Sequence, residues 1–380
     1  MNVFLIYPYS SQHQLVKSFS VELAKYGVVL DYICIGDLTY RVDEKKWPFF
    51  LIALLKRLSA KKSGFISHCI FSLLIRWILS GRIANVLQKY DLIDFHAYVL
   101  AYNNLIKTCV EKKITFDITP WGSDVLRASN DTINHQYLGY SHCRYIKCTE
   151  NLQVELNKKT NNLFKSKLRT LYLGNEFFPI IDSLSGKNSQ KLKSSLYGNI
   201  DNRLVIVCGY NGSEHQNHLQ MINSLLSMQD KIRDKVYLVF PFTYGSTVEY
   251  KASISKKLSE LALNYTMLTD YLSVEELAAL RKTADIVVNI QDTDALAGSL
   301  QEHLYCGNVC IFGSWLNYIP YDVNNIYYIK TSMQDLSENL FNVIENYSDY
   351  KNRCENNVLK MRKLFSWDET AINWANNYVE

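Results

Sequence analysis

Apolar runs and amphipathic segments alternate along most of the chain. Asn2–Tyr7 and Ile286–Ile290 are short, mainly apolar runs, which favours strands buried on both faces of a sheet. Leu15–Tyr26 instead carries apolar residues at four-residue spacing, which is typical of a helix packed on one face. Gly27 ends this helix and Val28–Ile35 begins the next strand. The strand–helix–strand order predicts an α/β protein with parallel sheets.

The length of the chain predicts more than one domain. Its 380 residues exceed the usual size of a single hydrophobic core. The stretch 183–200 is polar and rich in serine and lysine, which makes it the best candidate for a linker. We therefore expect an N-terminal domain over 1–182, a C-terminal domain over 201–364 and a final helix over 365–380.

Composition excludes several classes of protein. A hydrophobic share of 48% and a charged share of 21% indicate a globular chain, and a net charge of +4 is too small to predict a nucleic-acid partner. The nine cysteines form no CxxC pair, which favours a reducing cytoplasm over a disulfide framework or a structural zinc site. No apolar run reaches the ~20 residues of a spanning helix, and the N-terminus predicts a first strand rather than a signal peptide.

The segment between Glu44 and Asp91 contains no acidic residue but many basic and aromatic ones. Basic clusters beside apolar helical faces are typical of interfacial helices, and each Lys or Arg near an anionic leaflet contributes ~1 kcal/mol. We therefore expect 45–90 to be a helical insertion that binds an anionic membrane surface. The residues expected there are Lys45, Lys46, Trp47, Lys56, Arg57, Lys61, Lys62 and Trp77. The alternative is a set of core helices with a solvated basic rim.

Two acidic residues bracket a strand-to-helix turn in the second half of the chain. Asp294 follows the Ile286–Ile290 strand, and Glu302 lies in the first turn of the next helix, where Ser299 has capping-box spacing to Glu302. Open α/β sheets bind ligands at this edge, and a helix N-terminus offers N–H groups to a phosphate. The alternative is that Glu302 only caps its helix and Asp294 is a solvated loop residue.

A glycine-containing loop follows the predicted strand Arg203–Cys208 and precedes a helix, which is the form of a phosphate cradle. Its residues are Gly209, Tyr210, Asn211 and Gly212. Tyr244 and Gly245 follow another strand at the same expected edge, where the aromatic ring could stack on a base or a sugar. A turn with a packing tyrosine is the alternative.

Similar strand-end residues occur in the N-terminal half. Trp121, Gly122 and Asp124 follow the predicted strand Ile114–Thr119, and His96 ends the strand before it. Loops at the carboxyl edge of a sheet suit ligand contact. The alternatives are that Asp124 caps the next helix and that His96 is a packed core histidine.

The run Asp294-x7-Glu302, followed by His303 to Gly307, resembles the E-x7-E signature of retaining glycosyltransferases of family four, with Asp in place of the first Glu. The run Trp121-Gly-Ser-Asp124 resembles the W-G-S-D form found in the same family. This resemblance implies the GT-B fold, in which two Rossmann-like domains face each other across a cleft. It also implies that the final helix crosses back onto the N-terminal domain.

The resemblance also implies residue roles. Asp294 and Asp124 would be catalytic and would lie on opposite sides of the cleft, and Glu302 would bind the donor ribose. The implied donor-binding residues are Gly209, Tyr210, Asn211, Gly212, Tyr244, Gly245, Gly298, Ser299 and Glu302, and the acceptor-side residues are Trp121, Gly122 and His96. The Arg and Lys usual in the family's glycine loop are absent here. His215, His218, Lys251 or backbone amides remain open as the group that neutralises the diphosphate.

The implied activity is transfer of a hexose-type sugar, with retention and without a metal or cofactor, from a nucleotide-sugar. The implied acceptor is a lipid-linked or polysaccharide glycan in bacterial surface polysaccharide synthesis, including lipopolysaccharide. Such an enzyme would be cytoplasmic and peripheral on the inner face of the cell membrane. A nonhydrolysing sugar-nucleotide epimerase and a noncatalytic nucleotide-sugar-binding subunit are the alternatives.

Overall fold

The computed structural model describes residues 1–9, 15–36, 39–41, 75, 78, 83–184, 186, 189–200 and 202–380. The eight residues predicted to bind a membrane, from Lys45 to Trp77, lie outside these ranges. Within them, no helix has both the length and the apolar character needed to cross a bilayer.

The chain forms two compact units. Met1–Gly174 and Trp367–Glu380 make the first unit, and Asn175–Ser366 makes the second. The division therefore precedes the predicted boundary at 182, while the final helix belongs to the first unit as its own element. The separate linker predicted over 183–200 is wrong, because most of it is part of the second unit.

A helix occupies much of that predicted linker. Ser189–Tyr197 is helical, and Tyr197 and Ile200 are buried. The Tyr197 hydroxyl lies 3.1 Å from Thr283 Oγ1, and Lys193 Nζ lies 2.7 Å from Asp285 Oδ2. The polar composition that suggested a linker is the exposed face of an amphipathic helix, whose apolar side packs on the second unit.

The first unit contains a seven-stranded sheet in the order β3-β2-β1-β4-β5-β6-β7. Its strands are β1 (Asn2–Tyr7), β2 (Val29–Cys34), β3 (Thr39–Arg41), β4 (Leu92–His96), β5 (Phe116–Thr119), β6 (Ile146–Cys148) and β7 (Leu168–Thr170). Only the β2–β3 pair is antiparallel among the described strands of this sheet. The α-helices described in this unit are α1 (Leu15–Ala24), α2 (Ala84–Leu87), α3 (Asn103–Glu111), α4 (Ser123–Leu126), α5 (Asn130–His142), α6 (Glu150–Lys159) and, at the C-terminus, α18 (Trp367–Val379).

The second unit contains a parallel six-stranded sheet in the order β10-β9-β8-β11-β12-β13. Its strands are β8 (Leu204–Cys208), β9 (Val236–Pro241), β10 (Tyr265–Leu268), β11 (Ile286–Asn289), β12 (Val309–Gly313) and β13 (Ile329–Thr331). Its α-helices are α7 (Phe178–Ser183), α8 (Ser189–Tyr197), α9 (His218–Leu226), α10 (Gln229–Ile232), α11 (Val248–Leu258), α12 (Val274–Thr283), α13 (Gly298–Tyr305), α14 (Ile319–Val323), α15 (Leu336–Glu345), α16 (Tyr347–Arg353) and α17 (Asn357–Phe365).

The C-terminal helix completes the core of the first unit. Phe19 of α1 stacks on Trp367, with ring centroids 5.4 Å apart, and meets Trp374 edge-on at 5.0 Å. Gly174 faces the Trp367 indole so closely that a Cβ atom would lie 2.1 Å from Cδ2. Gly174 is therefore required by this packing, and α18 is a structural part of the unit rather than an appendage.

Both sheets have the Rossmann strand order, in which the connection reverses direction beside the first strand. The reversal falls between β1 and β4 in the first unit and between β8 and β11 in the second. Ligands bind open α/β sheets outside the carboxyl ends of the strands at this point. The loops after these four strands are therefore where functional side chains are expected.

Candidate active site

The glycine loop begins where β8 ends. The Gly209 amide donates to Val288 O at 2.9 Å, which joins the loop to β11. Gly209 has a φ of +72°, and a Cβ atom there would lie 2.9 Å from Gln216 Oε1 and 3.0 Å from His218 Nε2. Gly212 is equally tight, since a Cβ atom would lie 2.8 Å from Ser246 Cβ. Both glycines are needed because the loop backbone lies directly against its neighbours.

Two glutamines fix the side chain of Tyr210. Its hydroxyl donates to Gln291 Oε1 at 3.0 Å, and Gln216 Nε2 donates to the same oxygen at 2.8 Å. Gln216 Oε1 in turn accepts from the Tyr210 amide at 3.2 Å. Trp315 Nε1 donates to the Gln291 carbonyl at 2.9 Å. The loops after β8, β11 and β12 are thus joined by one polar network at the carboxyl edge.

Tyr244 and Gly245 lie beside the glycine loop, as their positions after β9 predict. Gly212 N donates to Tyr244 O at 2.8 Å, while the Tyr244 side chain is half exposed. Asn211 Oδ1 accepts from Ser213 N at 2.9 Å, which closes a short turn in the loop. Gly245 has a φ of +84°, where a side chain would be strained. The exposed ring of Tyr244 is therefore presented at the same edge as the loop.

Asp294 is buried and held by hydrogen bonds. The Tyr318 hydroxyl donates to Asp294 Oδ2 at 2.8 Å, and the Ala297 amide lies 3.2 Å from the same oxygen. Burial raises the pKa of the carboxyl above its ordinary value, against the lowering effect of these hydrogen bonds. The alternative of a solvated loop residue is therefore wrong.

Leu296 links Asp294 to the following helix with an unusual backbone. Its φ is +64°, which is uncommon for a bulky residue, and its side chain is buried. Gln301 Nε2 donates to Leu296 O at 2.9 Å and holds the turn. Strain of this kind persists where the surrounding structure fixes a loop, and it is frequent at functional sites.

Helix α13 begins at Gly298 without a side-chain cap. Its N-cap is Ala297, so the predicted N-cap at Ser299 is wrong by position. Ser299 Oγ is buried and has no hydrogen-bond partner among the described residues. Asn175 Nδ2 donates to Gly298 O and to Gln301 Oε1, at 3.3 and 3.2 Å. Asn175 thus holds the first turn of the helix, and the Ser299 hydroxyl does not take part in this contact.

The capping box predicted between Ser299 and Glu302 is absent from this part of the described structure. Glu302 Oε2 instead accepts from Arg281 Nε at 2.7 Å, and both side chains are buried. Arg281 also lies 3.3 Å from His303 Nε2 through its NH1 group. Burial lowers the pKa of His303 and Arg281 lowers it further, so the imidazole is neutral. The alternative in which Glu302 only caps its helix is therefore wrong.

Sequence reasoning missed Arg281, Tyr318 and Asn175. Arg281 lies in the last turn of α12, where a basic residue is ordinarily explained by the helix dipole and solvent. Tyr318 and Asn175 lie in loops far from Asp294 and α13 along the chain. No local spacing marks such partners, because the contacts are made only when the strands assemble.

The basic groups near the glycine loop differ in charge. His218 is fully buried, and burial lowers its pKa to about 4, so it carries no charge at neutral pH. It is therefore excluded as the group that neutralises a phosphate. His215 is half exposed, with Nδ1 2.8 Å from Asp292 Oδ2. His215, Lys251 and the backbone amides are the remaining candidates for binding the diphosphate.

In the first unit, Asp124 organises the loop after β5. Its carboxylate accepts backbone N–H groups from Tyr98, Trp121 and Gly122, at 2.7, 2.9 and 2.9 Å. Asp124 lies within the first turn of α4, whose N-cap is Gly122, so the alternative of a helix N-cap is wrong. Gly122 has a φ of +128°. The carboxylate therefore sets the path of the Trp121–Gly122 turn.

His96 and Trp121 are joined beneath this loop. Trp121 Nε1 donates to His96 Nδ1 at 3.2 Å, and His96 Nε2 faces Asp94 Oδ2 at 3.4 Å. His96 is buried, with both ring nitrogens directed at protein groups, which is the packed alternative. Trp121 is partly exposed and packs against Tyr7 and Tyr9, with ring centroids 5.3 and 5.7 Å apart. The acceptor-side role therefore stays a prediction for Trp121 and Gly122.

Comparisons with known proteins show which solved structures share this architecture. No family model and no curated protein sequence matches the chain. The solved structure of a glycosyltransferase from Rickettsia africae ESF-5 has a TM-score of 0.69 at 12% identity, covering 99% of this chain and 97% of that one. HepE from Anabaena, in complex with UDP, has a TM-score of 0.69 at 12% identity, covering 100% and 99%.

The chain has the GT-B fold. It shares this fold over its whole length with those glycosyltransferases, and the low identities establish the architecture alone. A UDP-GlcNAc 2-epimerase from Neisseria meningitidis, bound to UDP-GlcNAc, also matches, with a TM-score of 0.59 at 13% identity over 100% of this chain and 99% of that one. The predicted α/β class with two Rossmann-like domains is thus confirmed.

Proposed function

We propose that this GT-B protein transfers a hexose-type sugar, with retention, from a nucleoside-diphosphate sugar to a lipid-linked or polysaccharide glycan of the bacterial surface. The observation that carries the proposal is the placement of Asp294 and Glu302 after β11, beside the switch point of the second sheet, in a fold shared with glycosyltransferases. HepE was solved with UDP and with UDP-glucose, which makes a uridine-diphosphate sugar the first donor to test.

The second unit would bind the donor. Asp294 would accept hydrogen bonds from hydroxyls of the sugar, and Glu302 would accept from the ribose. The backbone N–H groups that begin α13, with the unpartnered hydroxyl of Ser299, would stabilise the diphosphate. Such groups stabilise charge without a metal ion, which supports metal-independent transfer. Tyr244 would stack on the base or sugar through its half-exposed ring.

The first unit would bind the acceptor at the turn after β5. Trp121 is the aromatic surface proposed to contact a sugar ring there. Because Asp124 accepts three backbone N–H groups, we propose that it shapes this turn rather than reacting itself. His96 would act from behind by fixing the Trp121 indole.

The protein would work at the inner face of the cell membrane, held by the acid-free segment 45–90. The sequence of this segment supports the proposal through its basic clusters and aromatic residues. Replacing Lys45, Lys46, Lys56 and Arg57 by neutral residues should reduce sedimentation with anionic vesicles and leave sedimentation with neutral vesicles unchanged. Unchanged sedimentation with anionic vesicles would contradict this role.

One experiment tests the transfer itself. Release of nucleotide from candidate donors should require a lipid-linked or polysaccharide acceptor, and Asp294→Ala and Glu302→Ala should each abolish it. The epimerase alternative, favoured by the match to the Neisseria enzyme, predicts sugar isomerisation without an acceptor. Turnover by both variants at the wild-type rate would overturn the assignment. A thermal-shift screen of nucleotides would select the base, because a ligand of the native state raises apparent stability.

A further inference from the structure

Arg281 has no role in the transfer proposed above, although it forms a buried ion pair with Glu302 in the second unit. Arg281 lies in the last turn of α12 and Glu302 lies on α13, and the two meet at 2.7 Å between Nε and Oε2. The side chains are only 6% and 8% exposed. A buried pair is a weak contributor to stability, because desolvation of both charges offsets their attraction. We therefore expect the Arg281–Glu302 pair to have a role other than stabilising the fold.

The two oxygens of Glu302 have different surroundings. Oε2 accepts from Arg281, whereas Oε1 lies 3.6 Å from the position that a Cβ atom on Gly298 would take. Gly298 is exposed and starts the helix. The ion pair therefore turns one oxygen of a buried carboxylate toward the open start of α13.

The charge of Glu302 depends on this pair. Burial raises the pKa of the carboxyl, and Arg281 is the strongest influence that lowers it. The groups facing Glu302 from other elements are Glu176 before α7, Asn175 and Tyr244. Glu176 is a second carboxyl, and His303 on the same helix is neutral. Without the guanidinium, Glu302 would be a buried carboxyl beside another carboxyl, and it would take up a proton.

We propose that Arg281 is a positioning residue that keeps Glu302 ionised and turned toward the ribose hydroxyls of the donor. This inference rests on the proposed function, which supplies the ribose. An ionised carboxylate accepts from two hydroxyls, whereas a protonated one loses part of that capacity. Arg281 thereby sets recognition of the ribose without contacting the donor.

The test compares UDP with 2′,3′-dideoxy-UDP by calorimetry. The proteins are the wild type and the variants Arg281→Met, Arg281→Lys and Glu302→Gln. Arg362→Met is the matched control, because Arg362 also pairs with a carboxylate, Asp182, and hydrogen-bonds Tyr305 in the last turn of α13. Titrations are run at about pH 6 and about pH 8, on either side of neutrality.

The wild type and Arg362→Met should bind UDP at least about tenfold more tightly than the dideoxy analogue at both pH values. Arg281→Met should reduce this ratio to about threefold or less at pH 6, and the ratio should be higher at pH 8, because a higher pH favours the ionised form of Glu302. Arg281→Lys should keep most of the ratio, and Glu302→Gln should have a small ratio at either pH.

Three outcomes would count against these ideas. An unchanged ratio in Arg281→Met, with both affinities unchanged, would overturn the inference and leave the proposed function standing. An equal loss of affinity for both ligands would also overturn it, since it would mean that Arg281 contacts the diphosphate or holds the site together. Failure of the wild type to bind UDP or to prefer it over the analogue would overturn the proposed uridine donor and the inference with it.

Discussion

The charged groups around Lys147 in the first unit and the carboxyl groups of Asp294 and Glu302 in the second unit are buried in different ways. In the first unit, Lys147 lies between two carboxylates, 2.5 Å from Asp94 Oδ2 and 3.1 Å from Asp117 Oδ2, and all three are fully buried. Arg144 also pairs with Asp117 and donates to the carbonyls of the last turn of α18. Burial would raise the pKa of Asp94, but Lys147 and His96 lower it below its ordinary value.

In the second unit, burial has the larger effect on the pKa values of the two carboxyl groups. The pKa values of Asp294 and Glu302 are both raised by burial, although Tyr318 and Arg281 respectively oppose it. A carboxylate whose charge is fully compensated joins strands and helices together. One whose charge is incompletely compensated costs stability and is kept where chemistry needs it. The difference distinguishes Asp94 in the first unit from Asp294 and Glu302, the proposed donor-binding carboxylates of the second unit.

The largest expected effect is on the cluster of Lys147, Asp94 and Asp117 in the first unit. Replacing Lys147 by Met should lower the free energy of unfolding of the first unit by about 3 to 5 kcal/mol, because the buried Asp94 would lose its lysine partner and Asp117 would keep only Arg144. Chemical denaturation followed by tryptophan fluorescence measures the change. The exposed pair of Lys25 and Glu22 provides the control, and Lys25→Met should change stability by less than about 0.5 kcal/mol. Similar changes in the free energy of unfolding for Lys147→Met and Lys25→Met would mean that the buried cluster contributes no more to stability than an exposed pair.

A second substitution should separate stability from activity. Asp294→Asn should reduce transfer at least about 100-fold, because an amide cannot supply the charge proposed to orient the donor. Its melting temperature should stay the same or rise, since a buried charge is removed. Asp94→Asn should lower the melting temperature instead. If Asp294→Asn melts as early as Asp94→Asn, Asp294 is a structural carboxylate.

A third prediction concerns pH. Burial raises the pKa of Glu176 from 4.5 to about 7, and Glu302 adds to this. The folded state thus holds a proton that the unfolded state releases, so this group stabilises the fold at low pH. The contribution is lost as pH rises between about 4.5 and about 7, and is expected to amount to about 1 to 3 kcal/mol.

Denaturation of the wild type and Glu176→Gln across this pH range tests the point. The stability of the wild type relative to the variant should fall through the window and stay level above it. A constant difference, or one that grows with pH, would contradict the assignment.

The smallest expected effect is on an exposed pair. His215 and Asp292 are each about half exposed at 2.8 Å, so His215→Asn should change the free energy of unfolding by less than about 0.5 kcal/mol. Thermal unfolding measures it. A loss of several times this size would mean that exposure does not distinguish structural from dispensable pairs here.

Much of the fold was predictable because the signals are local. The buried run Asn2–Tyr7 is β1 at its predicted bounds, and Gly307 ends α13 with a φ of +66° as expected of a residue after a helix. The strand β10 was missed, because Tyr265–Leu268 is partly buried and lies at a sheet edge, where the apolar pattern is weak. The linker was wrong because polarity marks a helix face as readily as a loop.

For the candidate site, the sequence by itself determined position and chemical type. It placed Asp294, Glu302 and the glycine loop at strand ends, since chain order fixes which residues follow a parallel strand. Only the tertiary structure decided their state, by bringing Arg281 to Glu302 and Tyr318 to Asp294. Charge and hydrogen bonding in a buried site depend on groups distant in sequence, and spacing along the chain carries no record of them.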